Sequence, residues 1–194
     1  GGDDRDRPGD NLYTNCVLAL DARTGALKWH YQFTPHDVED RDATEPNVLV
    51  DRVYKGKPSR LLLHADRNGY FYVLDRTNGS VLLAKPFLRR VDWASGIGAD
   101  GRPVVVDPHG CPTDAANWSS TAFSPVTGLY YFLALEECVG KPTGYPDQTG
   151  HRWGAGTRHD ESHRRQQYAR RRLPQESYCG LGGIAQRCPS AVPV

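Results

Sequence analysis

The chain has 194 residues, and its 24 Lys+Arg nearly balance 23 Asp+Glu to a net charge of +1, which offers little long-range steering and disfavours a general nucleic-acid binder. No apolar run approaches the roughly 18 residues of a membrane span, and residues 1–15 are acidic and Gly-rich without the apolar stretch of a signal peptide. Twenty Gly and 14 Pro make the chain turn-rich, and the absence of any Met, even an initiator, reads as an excised or partial chain.

Residues 12–33 alternate apolar and polar from Leu12 to Leu20, turn at Asp21-Ala-Arg-Thr-Gly25, and resume from Ala26 to Phe33. This pattern predicts a β-hairpin with Gly25 at a position of positive φ. The unit returns as Arg60–His64 and Tyr70–Leu74, a turn at Asp75-Arg-Thr-Asn-Gly79, and Val81–Ala84. It returns again as Ser120–Phe123, a turn at Ser124-Pro-Val-Thr-Gly128, and Leu129–Ala134. Gly25, Gly79 and Gly128 are 54 and 49 residues apart, a period that suits one four-stranded propeller blade per repeat. No helical period interrupts the first 140 residues, which are therefore expected to be all-β, with about three blades of a β-propeller.

Beyond about residue 150 the pattern stops. Residues 155–194 hold seven arginines (Arg158, Arg164, Arg165, Arg170, Arg171, Arg172, Arg187), no lysine, and only Tyr168 and Tyr178 as aromatics. An irregular or disordered tail is favoured over a phosphate-binding arm. The expected organisation is 1–150 as a partial propeller and 151–194 as an unmatched tail. His159 and His163 stand four apart in that tail with no third ligand. The five cysteines, Cys16, Cys111, Cys138, Cys179 and Cys188, show no close pairing of zinc-knuckle type, and their odd number leaves at least one unpaired. Cys16 reads as a small residue within a strand.

Several segments in order carry a resemblance: Arg7-Pro-Gly-Asp-Asn-Leu-Tyr-Thr-Asn15, Ala19-Leu-Asp-Ala-Arg-Thr-Gly-Ala-Leu-Lys-Trp29, Tyr31-Gln-Phe-Thr-Pro-His-Asp37, His64-Ala-Asp-Arg-Asn-Gly69 and Trp93-Ala-Ser-Gly96. Over roughly residues 5–140 the chain resembles the pyrroloquinoline-quinone (PQQ) dependent alcohol and methanol dehydrogenases. The resemblance implies an eight-bladed parent propeller in which a Trp such as Trp29 docks one blade on the next. It also implies PQQ and a metal ion on the axis, oxidation of primary alcohols to aldehydes by hydride transfer, a cytochrome c as electron acceptor, and a periplasmic setting.

Carried over residue by residue, the resemblance makes Asp40 the base and a metal ligand and Arg67 the cationic partner of the quinone oxygens. Asp42 matches the additional carboxylate of lanthanide-using members, which favours a lanthanide over calcium, because a second hard oxygen suits a larger and more highly charged ion. Asn117 and Trp118 fall at cofactor-contacting positions, and Cys111 and Cys138 match a structural disulfide. On residue type alone, Asp40 and Asp42 read equally as solvated loop acids, Arg67 as a strand-end residue paired with Asp66 or Asp75, and Trp118 as a blade-core aromatic.

The sequence departs from the family at Glu39 and Arg41, where the family has a His or aromatic and an aromatic. Arg41 stands between two carboxylates and can neutralise them by an internal ion pair. The family's remaining metal ligands, a Glu and an Asn, and its vicinal cysteines are expected upstream of residue 1, so half of a site is expected in this chain. The resemblance stops abruptly after Arg158, as a shifted reading frame would produce. The leading reading is a fragment of a quinoprotein alcohol dehydrogenase; the alternatives are a non-catalytic β-propeller scaffold and an inactive truncated product.

Overall fold

The computed structural model describes residues 4–135. The expectations placed on Cys138, Cys179, Cys188 and the 151–194 tail lie outside those residues. Among the described residues all regular structure is strand: β1 (Cys16–Leu20), β2 (Leu27–Gln32), β3 (Val48–Tyr54), β4 (Lys57–Ala65), β5 (Tyr70–Asp75), β6 (Val81–Pro86), β7 (Ala94–Ile97), β8 (Pro103–Val105), β9 (Ala122–Ser124) and β10 (Leu129–Tyr131). Every pairing is antiparallel: β1 with β2, β3-β4-β5-β6 in sequence order, β7 with β8, and β9 with β10. These are blades of a β-propeller.

The three predicted turns are built alike. Gly25, Gly79 and Gly128 have φ of 71°, 79° and 71°, and their amides donate to the carbonyls of Asp21, Asp75 and Ser124, each at 2.8 Å. Asp21 Oδ1 accepts the amides of Arg23 and Thr24, and Asp75 Oδ1 accepts the amide and hydroxyl of Thr77. In the third copy Ser124 Oγ accepts the Thr127 amide at 3.3 Å. Short polar side chains bonding their own backbone are what make this spacing a turn.

The sequence pattern places the first strand from Leu12, but β1 begins at Cys16. Asn11 and Asn15 adopt φ of 56° and 51°, the Thr14 amide and hydroxyl both donate to the Asn11 carbonyl at 2.8 Å, and Gln32 Nε2 donates to the Thr14 carbonyl. Local bonds of this kind outcompete a ladder.

The four-stranded sheet is buried on both faces, which explains the unbroken apolar run Tyr70–Leu74. Tyr70, Tyr72, Leu74 and Leu62 pack toward Tyr31, Phe33 and Trp93, with Val17 and Trp29 of the first hairpin against them. Phe71, Val73, Leu61 and Leu63 pack to the other side, against Phe123, Tyr130 and Phe132. Trp29 ties the first hairpin to the next sheet: its indole N–H donates to the Arg76 carbonyl at 3.1 Å, and its ring lies so close to Gly79 that a Cβ there would sit 2.7 Å from it.

Candidate functional site

The segments that carry the resemblance meet in space. Between β2 and β3 the chain passes through Thr34–Glu45, a loop organised by the buried carboxylate of Asp37. Asp37 Oδ1 accepts the Glu39 amide at 3.0 Å, while Oδ2 accepts the Arg41 amide at 2.6 Å and Asn15 Nδ2 at 3.1 Å. His36 Nδ1–H donates to the Gly9 carbonyl at 2.6 Å, and Arg7 Nη2 donates to the Asp37 carbonyl. The loop so held presents Asp40 on the surface with φ of 62°.

The second element is the β4–β5 turn. The Asn68 amide donates to Asp66 Oδ1 and the Tyr70 amide to Asn68 Oδ1, while Asn68 Nδ2 reaches the Phe33 carbonyl at 3.0 Å and the Tyr72 hydroxyl at 3.1 Å. Trp93 Nε1 donates to the Asn68 carbonyl at 2.8 Å. Gly69 has φ of 92°, and a Cβ there would lie 2.9 Å from Pro112 and Val91, so side chain and backbone both require glycine. This turn projects Arg67 into a cluster of acids, with its Nη1 3.7 Å from Asp42 Oδ2 and its Nε 3.1 Å from Asp114 Oδ1. Arg67 thus pairs across the fold and not with Asp66 or Asp75. Asn117 Nδ2 joins the same carboxylate, 3.4 Å from Asp114 Oδ1. Trp118, at 77% exposure, is not a blade-core aromatic.

Arg41 does not form the internal ion pair with Asp40 and Asp42. Its side chain is buried: Nε donates to the Pro112 carbonyl and Nη1 to that of Pro108, both at 2.9 Å, and Nη2 donates to the Gly110 carbonyl. The guanidinium also stacks 5.3 Å over the Trp93 ring and stands 3.9 Å from Asp37 Oδ1. A residue expected to quench the carboxylates instead anchors the 108–112 loop beneath them. Glu39, the other departure, pairs with His109 on that loop.

Below Arg67 lies a buried group that sequence reasoning missed. Glu45, His64 and Asp66 all have side chains at or below 1% exposure, with His64 Nε2 3.1 Å from Asp66 Oδ2 and 3.8 Å from Glu45 Oε2. Burial, and then the charge of Asp66, pushes the Glu45 carboxyl up to about 8. Asp66 is also raised by burial, against the opposing pull of its bond to His64. His64 and Asp66 belong to a recognised segment, but Glu45 precedes a proline in a polar loop and carries no local signal of burial. Cys111 is disulfide-bonded; Cys138, the partner implied by the resemblance, lies outside the described residues.

Stacked antiparallel sheets joined by a docking tryptophan, with acids and a guanidinium gathered where their loops meet, define the class of β-propeller proteins. Residues 2–84 match the PQQ family model described as the glucose/ethanol/alcohol dehydrogenase β-propeller domain. The chain is 45% identical over 136 residues to the quinohemoprotein alcohol dehydrogenase of Comamonas testosteroni, covering 65% of this chain and 19% of that one. It is 37% identical over 156 residues to the lanthanide-dependent methanol dehydrogenase of Methylorubrum extorquens, covering 70% and 26%. Among solved structures, a europium-containing methanol dehydrogenase superposes with a TM-score of 0.59 at 37% identity, covering 64% of this chain and 24% of the other. The chain belongs to the PQQ-dependent, or quinoprotein, alcohol and methanol dehydrogenase family, and it spans about a fifth to a quarter of the length of these relatives.

Proposed function

We propose that this chain carries part of the alcohol-oxidising site of a quinoprotein dehydrogenase, in which Asp40 is base and metal ligand, Asp42 a second metal ligand, and Arg67 the hydrogen-bond donor to the cofactor oxygens. The observation that carries this reading is the convergence of Asp42, Asp114 and Arg67 beside the loop of Asp40, although 25 residues separate Asp42 from Arg67 and 47 more separate Arg67 from Asp114. Three carboxylates and one guanidinium leave the cluster about two charges negative, and its oxygen donors suit a hard cation. Arg67 Nε is buried without a hydrogen bond of good geometry, despite its proximity to Asp114, so the guanidinium retains a donor to offer.

When bound, PQQ supplies a two-electron acceptor and the metal a Lewis acid. Asp40 would take the alcohol proton, its exposed position on a loop fixed by Asp37 giving substrate access. Arg67 would stabilise developing negative oxygen without itself losing a proton. Asn117, bonded through Asp114 to the same cluster, and Trp118 are further cofactor contacts in this reading, and Cys111 is proposed to bridge to Cys138. One similar protein, from Thauera butanivorans, is a 1-butanol dehydrogenase (cytochrome c). We extend to the parent protein a primary alcohol as substrate, a cytochrome c as acceptor and the periplasm as compartment. Among the described residues no helix is long and apolar enough to cross a membrane.

Terbium luminescence on the 194-residue chain tests the metal ligands. Tb³⁺ should bind, Ca²⁺ should compete more weakly than La³⁺, and Asp42→Ala should weaken lanthanide binding at least tenfold. Unchanged affinity in both Asp42→Ala and Asp40→Asn would overturn the assignment. In a preparation that oxidises alcohols with PQQ, Asp40→Asn should lower kcat by about 10²–10⁴-fold while cofactor binding persists.

A further inference from the structure

We propose that Glu45, His64 and Asp66 form a second, buried metal site, specific for a divalent first-row transition-metal ion of the Zn²⁺ class and separate from the exposed Asp40 and Asp42 carboxylates. Each residue offers one ligand atom, and those atoms all lie within 4.8 Å of one another. The separations of His64 Nε2 from its two neighbours, 3.1 Å to Asp66 Oδ2 and 3.8 Å to Glu45 Oε2, bracket the roughly 3.4 Å that separates neighbouring ligands about 2.1 Å from a tetrahedral ion.

An independent observation points to a missing partner. Both carboxylate oxygens of Glu45 and His64 Nδ1 are buried without a hydrogen bond. Buried polar groups are satisfied as a rule, and a carboxylate most stringently. Of the nearby guanidinium groups, Arg41 donates to the 108–112 carbonyls and Arg67 lies beside Asp42 and Asp114, and neither hydrogen-bonds the Glu45 carboxylate or His64 Nδ1. Burial favours a proton on the Glu45 carboxyl when no ion is present; a bound divalent ion would take the place of that proton, and the two carboxylates would then offset its charge.

Imidazole among the donors selects for the zinc class over calcium or a lanthanide, both of which prefer oxygen alone. The Phe33 ring stacks on the His64 imidazole at 4.2 Å and 20°, so the ring plane, and with it the direction in which Nε2 points, is fixed before any ion arrives. The three ligands come from different places: Glu45 from the loop that carries Asp40 and Asp42, His64 from β4, and Asp66 from the turn that projects Arg67. An ion there would clamp the acid-bearing loop to the arginine-bearing turn, a positioning role.

Equilibrium dialysis of the chelator-treated 194-residue chain against Zn²⁺, with excess Ca²⁺ to occupy exposed carboxylates, provides the test. Wild type should retain one equivalent of zinc more than the near-isosteric Glu45→Gln, whose affinity at this site should fall ten- to a hundredfold or more, while Asp42→Ala retains the wild-type amount. Co²⁺ added to wild type should give the visible spectrum of a four- or five-coordinate ion with a nitrogen ligand, which makes the result independent of whether a variant folds. Equal zinc retention by wild type and Glu45→Gln, a matching loss in Asp42→Ala, or a Co²⁺ spectrum of the octahedral aqueous kind would each overturn the proposal. Because the lanthanide assignment is read with Tb³⁺ on the Asp40 and Asp42 variants and this site with Zn²⁺ on Glu45→Gln, failure here is distinguishable from failure of that assignment.

Discussion

At the scale of single residues, burial decides which charges belong to structure and which face solvent. Arg41 and Arg67 illustrate the difference: Arg41 turns inward to backbone carbonyls, whereas Arg67 pairs across the fold with the partly exposed Asp42 and Asp114. Arg41 has three backbone carbonyls and an indole to satisfy it, and removing it takes the donor from the buried Gly110 and Pro112 carbonyls. Arg41→Ala should therefore cost about 3–5 kcal/mol in urea unfolding, whereas Arg90→Ala, which loses an exposed pair with Asp92, should stay within about 0.5 kcal/mol. Similar midpoints for the two variants would contradict the assignment. Cys16 is the one free thiol among the described residues; burial pushes it up to about 11, and its Sγ–H donates to the Thr14 carbonyl at 3.1 Å. Because only the thiolate reacts, alkylation by iodoacetamide at pH 8, followed by peptide mass mapping, should be roughly a hundredfold slower than for an unperturbed thiol. The rate should continue to rise toward pH 11, and alkylation of Cys16 at pH 8 as fast as a small free thiol would count against that environment.

At the scale of elements, the turn glycines were legible because their conformation and their neighbours are both local. Gly25 and Gly79 share nearly the same φ, yet a Cβ at Gly25 meets open space while one at Gly79 meets the Trp29 ring at 2.7 Å. Gly25→Ala should therefore show only the left-handed backbone penalty of about 1–2 kcal/mol, and Gly79→Ala that penalty plus displacement of the docking indole. Comparison of the two melts, with a shift in tryptophan emission confined to Gly79→Ala, isolates the docking contact; equal losses would dismiss it. Other elements were less legible. The β3–β4 hairpin turns at Lys55-Gly56, with φ of 48° and 80°, a left-handed pair whose first residue gives no turn signal in sequence. The strand expected from Leu12 failed because alternation cannot report the Asn11 and Gln32 bonds that draw residues 12–15 out of the ladder. Asp40, Asp42 and Arg67 could be nominated by motif, but Asp114, Glu45 and the inward turn of Arg41 depend on contacts across 71 residues or fewer that no local pattern encodes.

At the scale of the whole molecule, the sheets are unequal partners. The four-stranded sheet has neighbours on both faces, whereas the first hairpin leaves Leu18, Leu20 and Leu27 exposed and β8 leaves Val104 and Val105 exposed. Hydrophobic burial is therefore concentrated where β4 and β5 cross between the two apolar clusters, and these central strands also have ladder partners on both sides. Opening them requires separating both interfaces at once, while β9 and β10 can part by losing a three-residue ladder and one face of contacts. Amide hydrogen exchange should accordingly rank Leu61–Ala65 and Phe71–Leu74 slowest, with the hydrogen-bonded β1–β2 amides faster and those of β8 and β10 fastest. The difference should exceed tenfold between β5 and β10, and it should persist in Asp42→Ala, whose side chain lies in the polar cluster and not in either core. Uniform protection across all ten strands would show that the sheets open as one unit, and faster exchange in β5 than in β1 would place the stabilising core elsewhere than between the stacked sheets.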